Sequence, residues 1–256
     1  MIRTVRFFEQ FDNVLAFQST REGGLSKGEF SFANMSLKNG DNFALHNRLD
    51  LAQSLGVELD NFVFSDQTHS KNVHIVSAGD KGRGAFVFET AFKDNDAFVT
   101  DIPGIMIIVT VADCVPILLY DVKRNVIAAV HSGWRGTVKK ILTETLTKMK
   151  NIYGSRPEDI FVTIGSSIGV CCYEVGDEVV REVREAYGEA SDSFLVKKEK
   201  YHFDLWKANS YQAEKFGVPQ SNIFVYGVCT SCANDKFYSA RRGDAGRQIA
   251  GIMLKP

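Results

Sequence analysis

The chain has 256 residues, 45% hydrophobic and 24% charged, the balance of a globular protein and not of a disordered, collagen-like or disulfide-scaffold chain. With 30 Lys and Arg against 31 Asp and Glu, the formal net charge is −1 and no basic stripe tracks a phosphate backbone, which argues against nucleic acid as a partner.

The N-terminal segment MIRTVRFFEQFDN scatters charges among aromatics and lacks an apolar stretch followed by small residues, so it does not read as a secretory signal. Periodicity then predicts a helix over 43–55, strands over 61–64, 73–76, 85–88, 97–99, 105–111, 117–120 and 126–130, and a helix over 137–153. A strand over 160–164, helices over 177–187 and 204–216, and strands over 223–225 and 237–239 complete the pattern. Gly56, Gly154, Gly188 and Gly217 follow the four helices and suit left-handed C-terminal caps. The apolar stretch 105–112 falls far short of the ~20 residues of a membrane span.

No Pro/Ser-rich linker, charge block or internal period interrupts the chain, which reads as one domain over 1–256. Strands outnumber helices and follow one another across turn-length gaps. The class is therefore α+β (mixed α/β), with antiparallel or mixed sheets favoured over regular βαβ alternation. Gly82-Arg83-Gly84 lacks the third glycine of a dinucleotide loop, and no GxxxxGK[ST] occurs. Five cysteines, an odd number without an export signal, suit a reducing cytoplasmic setting in which they stay thiols or metal ligands.

Three donors leave strand ends. Cys114 follows an apolar strand in Ala112-Asp113-Cys114-Val115-Pro116; His131 ends the run 126–130; His69 sits in the loop Ser65-Asp66-Gln67-Thr68-His69-Ser70. Two imidazoles and a thiolate form a zinc set whose fourth tetrahedral position stays open, as catalysis needs. After His131, the loop Ser132-Gly133-Trp134-Arg135-Gly136 sets a guanidinium before a helix expected near Thr137, an arrangement suited to an anion. The same residues also fit a metal-free thiol hydrolase with Cys114 as nucleophile and His131 as base.

Other motifs carry weaker signals. Gly165-Ser166-Ser167-Ile168-Gly169 matches GxSxG after a strand, but 170–173 reads extended where a nucleophile elbow needs a helix. Cys229-Thr230-Ser231-Cys232 is a CxxC that Cys171-Cys172 could complete as a four-thiolate zinc site or redox pair. Neighbouring side chains of an extended segment face opposite ways, so these cysteines are read as buried or half-buried thiols. Arg241, Arg242 and Arg247 lie among aromatics and glycines, where they would bind phosphate, stack on a base or pair with surface acids; Arg48 is similarly placed beside Asn47.

Taken together, TREGGLS, NGDN with NR, DQTHS, DNDAFVT, TVADCVPILLYD, AAVHSGWRG, GSSIGVCCYEVG, CT and YSARR with GR resemble the YfiH family, long labelled polyphenol oxidase or laccase domain, from Thr20 to Arg247. The resemblance implies zinc-dependent purine nucleoside phosphorylase activity with added adenosine deaminase and methylthioadenosine phosphorylase activity. It also implies His69, Cys114 and His131 as metal ligands, purine nucleosides and inorganic phosphate as partners, and a monomer. The implied fold is a single domain of stacked sheets and helices related to a toxin deamidase with a Cys–His pair.

Phosphorolysis needs an anion held beside the sugar, for which Arg48 and Arg135 are candidates, and a group to stabilise the departing purine, for which Gln67 and Asp113 are candidates. Arg241 and Arg242 are further phosphate candidates, and Asp113 or Glu174 the candidate acids for deamination. Two departures from the family pattern, at Gly165-Ser166 and at Arg242-Gly243-Asp244, leave the metal triad untouched. Copper could occupy the triad adventitiously, but five histidines are too few for a multicopper oxidase. A metal-stabilised binding module with a closed site is the non-enzymatic alternative.

Overall fold

The computed structural model describes residues 2–38 and 40–256, so Met1 and Asn39 of the NGDN stretch lie outside the described residues. In chain order the strands are β1 (Thr4–Phe7), β2 (Val14–Ser19), β3 (Phe62–Val63), β4 (Ser65–Asp66), β5 (Val73–Ile75), β6 (Phe92–Lys93), β7 (Ala97–Thr100) and β8 (Met106–Val111). They continue with β9 (Val115–Asp121), β10 (Val126–Ser132), β11 (Ile160–Ile164), β12 (Glu174–Val175), β13 (Leu195–Lys197), β14 (Tyr201–Phe203), β15 (Ile223–Val225) and β16 (Gln248–Leu254). The helices are α1 (Ala44–Leu55), α2 (Trp134–Val138), α3 (Ile141–Tyr153), α4 (Asp177–Tyr187) and α5 (Leu205–Phe216).

Two sheets stack between helices. The order β1-β2-β16-β8-β3 forms one, and β15-β11-β9-β10-β7-β5 the other; a three-stranded sheet β12-β14-β13 and the pair β4-β6 stand apart. Pairing is mainly antiparallel, with parallel contacts at β3/β8, β4/β6, β5/β7 and β11/β15. Side-chain alternation sorts the layers. Val115, Ile117 and Leu119 of β9 pack with Leu142, Leu146 and Met149 of α3, whereas Leu118 and Tyr120 meet Ile107, Val109 and Ile252 of the other sheet. The far face of that sheet packs Met106 and Ile108 on Leu51 and Ala52 of α1. Covered on both faces, β8, β9 and β10 carry near-continuous apolar runs, and each fully buried large side chain contributes roughly 1.5–3 kcal/mol.

Several expectations need correction. The helix expected over 137–153 is two, because Lys140 takes a left-handed conformation (φ 61°, ψ 44°) between α2 and α3. Residues 85–88 and 237–239 are irregular instead of strands, Phe88 opening a short 3-10 turn, while β1, β2 and β16 fill three places of a sheet the periodicity reading missed. Residues 170–172 form a turn, not an extended segment. Gly56, Gly154 and Gly217 are left-handed caps as expected; Gly188 (φ 56°, ψ −136°) is not. Asp204 caps α5 by accepting the Lys207 N–H at 3.0 Å.

Candidate metal centre and active site

The three sulfur and nitrogen donors meet where the two large sheets part. The turn 112–114 carries the chain from β8 in one sheet to β9 in the other, and Cys114 ends it. His131 is the penultimate residue of β10, opposite Pro116 of β9, and His69 lies in the loop between β4 and β5. His69 Nε2 stands 3.7 Å from Cys114 Sγ, the two imidazole rings are 4.9 Å apart centre to centre, and one donor atom from each of the three residues lies within 4.8 Å of the others. That spacing lets one ion touch all three.

Two non-glycine residues here adopt positive φ, His69 (61°) and Asp113 (82°), at a cost of about 1 kcal/mol or more each. Hydrogen bonds hold both. Asp113 accepts from Thr230 Oγ1 at 2.6 Å, Ser239 Oγ at 3.1 Å and the Arg241 N–H at 2.7 Å. Around His69 the anchor is Asp96, fully buried beside the start of β7. Its carboxylate accepts the N–H groups of Thr68 (3.2 Å), His69 (3.1 Å) and Ser70 (2.8 Å) and the Ser70 hydroxyl (2.7 Å). It also binds His131 Nδ1 at 2.7 Å, which leaves Nε2 as the donor on the metal side.

Charges are matched across the centre. Burial pushes the Asp96 carboxyl up, and the bonds from His131 and Ser70 outweigh this, holding it well below the usual carboxylate range. Burial lowers His131, but the Cys114 sulfur and Asp96 raise it to about 9; burial raises Cys114, but His131 and His69 bring it down to about 6. Metal-free protein near neutral pH thus holds a thiolate–imidazolium pair with a carboxylate behind it.

Gly133 completes the cradle. A Cβ there would lie 2.8 Å from Cys114 Sγ and 2.9 Å from His69 Cδ2, so only glycine lets the backbone pass this close. A cavity of about 450 Å³ opens from the triad and is lined also by Lys38, Arg48, Phe64, Ser65, Gln67, Phe88 and Arg247. Its size suits a small organic ligand.

The other expected site residues take varied places. Gln67 lines the cavity, but its amide donates to Thr110 O and accepts from Thr110 N–H, both at 2.7 Å, extending the ladder beside β8. Arg48 is buried, donates to the carbonyls of Met35, Gly84 and Ala85, and packs 3.8 Å from the Phe64 ring centre, bracing a wall. Asp113 does not line the cavity; its three bonds tie down the 230–241 segment. Arg135 is exposed over Trp134 inside α2, because the helix begins at Trp134 and not near Thr137. Arg241 donates to the carbonyls of Cys172 and Glu174, and Arg242 to that of Ser231. Glu174 pairs with Lys200 at 2.7 Å.

Ser167 of the GxSxG stretch accepts from Trp206 Nε1 at 2.6 Å, and no helix follows it. The sequence reading missed Asp96, although DNDAFVT contains it; of the three C-terminal arginines it singled out, Arg247 is the one that lines the cavity.

The chain matches the family model described as multi-copper polyphenol oxidoreductase laccase over residues 15–255. It belongs to that family. A purine nucleoside phosphorylase of Bacteroides thetaiotaomicron is 35% identical over 251 residues, covering 95% of this chain and 93% of the relative. Adenosine deaminase RL5, from an unknown prokaryotic organism, is 36% identical and covers 97% of each chain. The crystal structure of the hypothetical protein YfiH of Bacillus licheniformis superposes with a TM-score of 0.95 at 34% identity, covering 99% of each chain.

This laccase-family chain lacks the imidazoles of a multicopper cluster. Among the described residues, His46 lies on α1, His74 beside Asp80 at 3.8 Å, and His202 binds the Val170 carbonyl, so only His69 and His131 reach the centre. No described helix is long and apolar enough to cross a membrane.

Proposed function

We propose that the chain is a zinc-dependent purine nucleoside phosphorylase that also deaminates adenosine. The observation behind this reading is the mixed thiolate–imidazole triad at the end of a cavity of nucleoside size, in a chain whose full-length relatives are named for these two activities. His69, Cys114 and His131 would hold the ion, since one soft and two borderline donors with an open side suit zinc. When bound, zinc supplies a fixed positive charge that attracts and orients an anionic or polar group.

Phosphorolysis forms a bond from a phosphate oxygen to C1′ of the ribose and breaks the C1′–N9 bond; the electron pair leaves with the purine, which takes a proton. Arg247 adds positive charge along the cavity and is fixed by the carbonyls of Asp244, Ala245 and Gly246, whereas Lys38 is paired with Asp66 of the same wall at 2.7 Å. Phe88, half-buried at the wall, offers a face for the base. Ser65 Oγ is buried with no partner among the described residues and lines the same cavity, so a substrate polar atom would satisfy it. Arg48 and Gln67 hold the walls in place. Phosphorus NMR of inosine mixed with phosphate and enzyme tests the reading through the appearance of ribose 1-phosphate, and ammonia release from adenosine tests deamination.

One observation favours a second reading. Cys114, His131 and Asp96 also form a nucleophile, base and orienting carboxylate, the arrangement of a thiol hydrolase. That enzyme would keep its activity after metal removal.

A further inference from the structure

Four thiols outside the active site converge. Cys171 and Cys172 lie in the turn after β11, Cys229 and Cys232 in the segment after β15, and the parallel β11/β15 pair brings these segments together. The pairing extends past the strands through a bridge between Ser167 and Cys229, with Ser167 N–H on Val228 O and Thr230 N–H on Ser167 O. Cys232 Sγ then lies 3.6 Å from Cys171 Sγ and 3.4 Å from Cys172 Sγ, and all four sulfurs fall within 4.8 Å of one another.

The turn at 170–172 is what permits this: in the extended conformation expected from sequence, adjacent cysteines would diverge. We propose that Cys171, Cys172, Cys229 and Cys232 form a second metal centre, a closed four-thiolate site for one zinc ion.

Zinc–sulfur bonds of about 2.3 Å in a tetrahedron place the sulfurs about 3.8 Å apart, close to the spacing already present. An iron–sulfur cluster would need the sulfurs to stand apart by the cluster's own width, and this cage has room for one ion. Backbone donors favour negative sulfur: the Gly169 N–H reaches Cys229 Sγ at 3.2 Å. A Cβ on Gly169 would sit 3.2 Å from Cys229 Cβ and 3.3 Å from Cys171 Sγ, so the loop is shaped around the cluster.

With four protein ligands the site has no open position, so its role is structural. It would staple the segment that supports the active site: Thr230, between Cys229 and Cys232, donates to Asp113, the neighbour of Cys114, and Arg241 joins Cys172 O to Asp113.

The test is metal analysis of the full chain purified with zinc. Wild-type protein is expected to hold two zinc ions, H131A one, and the double variant C171S/C232S one. A stepwise titration of wild-type protein with a mercurial, with zinc release followed by a chromogenic chelator, reads the same centre without a variant. Release of a second equivalent only after several thiols have reacted is expected. One ion in wild-type protein with none lost in C171S/C232S, or a Cys172–Cys232 disulfide found by mass spectrometry of the zinc-loaded protein, would overturn the proposal.

Discussion

The Asp96 carboxylate lies 2.7 Å from Nδ1 of His131 and also accepts the backbone N–H of His69 at 3.1 Å, so one buried acid sets the orientation of one imidazole and the loop position of the other. Replacement by Asn keeps the volume but removes the charge and turns part of the acceptor into a donor facing N–H groups. Asp96→Asn should weaken zinc binding by about 10–100-fold, the usual range for groups behind metal-bound histidines. A competition titration against a chromogenic chelator measures it, and unchanged affinity would contradict the role assigned to Asp96.

Gly133→Ala should act sterically. The added methyl meets Cys114 Sγ and His69 Cδ2 below 3.0 Å, so one ligand must move. About tenfold weaker zinc binding is expected, with little change in melting temperature of the metal-free protein, because the opened donors need not reach a common ion. Calorimetry of the metal-free and loaded forms separates the two effects.

Zinc binding should depend on pH with a definite sign. Between about 6, where Cys114 titrates, and about 9, where His131 does, the metal-free pair is thiolate and imidazolium, and binding must expel one proton. The contribution of this pair to affinity therefore rises about tenfold per pH unit through that window, rises more steeply below it where the thiol is also protonated, and levels off above it. Zinc titrations across the range, with the thiolate absorbance of metal-free protein against a Cys114→Ala control, check both limits.

Cavity residues should divide by substrate. Arg247→Ala is expected to raise KM for phosphate about tenfold or more while leaving the nucleoside KM nearly unchanged, and Phe88→Ala to raise the nucleoside KM about fivefold, with the phosphate KM nearly unchanged, through loss of a stacking face worth about 1 kcal/mol. Initial rates with each substrate varied in turn distinguish them. Equal effects on both substrates would contradict the assigned positions.

The clustering of His69, Cys114 and His131 was readable from sequence because two of the three end long apolar runs, where a strand must emerge from the core. Cys114 and His131 are such ends, and the HSGWRG and ADCVP stretches mark them. Asp96 was not readable as an orienting group, since its partners come from the 68–70 loop and from β10, and only the folded chain joins them. Asp113 shows the opposite failure: its place beside Cys114 suggests chemistry, yet its positive φ turns the carboxylate toward Thr230, Ser239 and Arg241. The helix over 137–153 has continuous periodicity, and the left-handed turn at Lys140 leaves no mark in the apolar pattern. The four clustered cysteines depended on one local conformation, a turn at 170–172, that β-branched composition does not reveal.

On the proposed function, the His69, Cys114 and His131 centre drives phosphate-dependent cleavage of purine nucleosides. The most direct test is chromatography of inosine and adenosine incubated with the zinc-loaded chain, with and without phosphate, beside Cys114→Ala and a chelator-treated sample. Free purine base that appears only with phosphate, and disappears in both controls, is the predicted result. Base release without phosphate, or full activity in the Cys114→Ala variant or the metal-stripped protein, would contradict it.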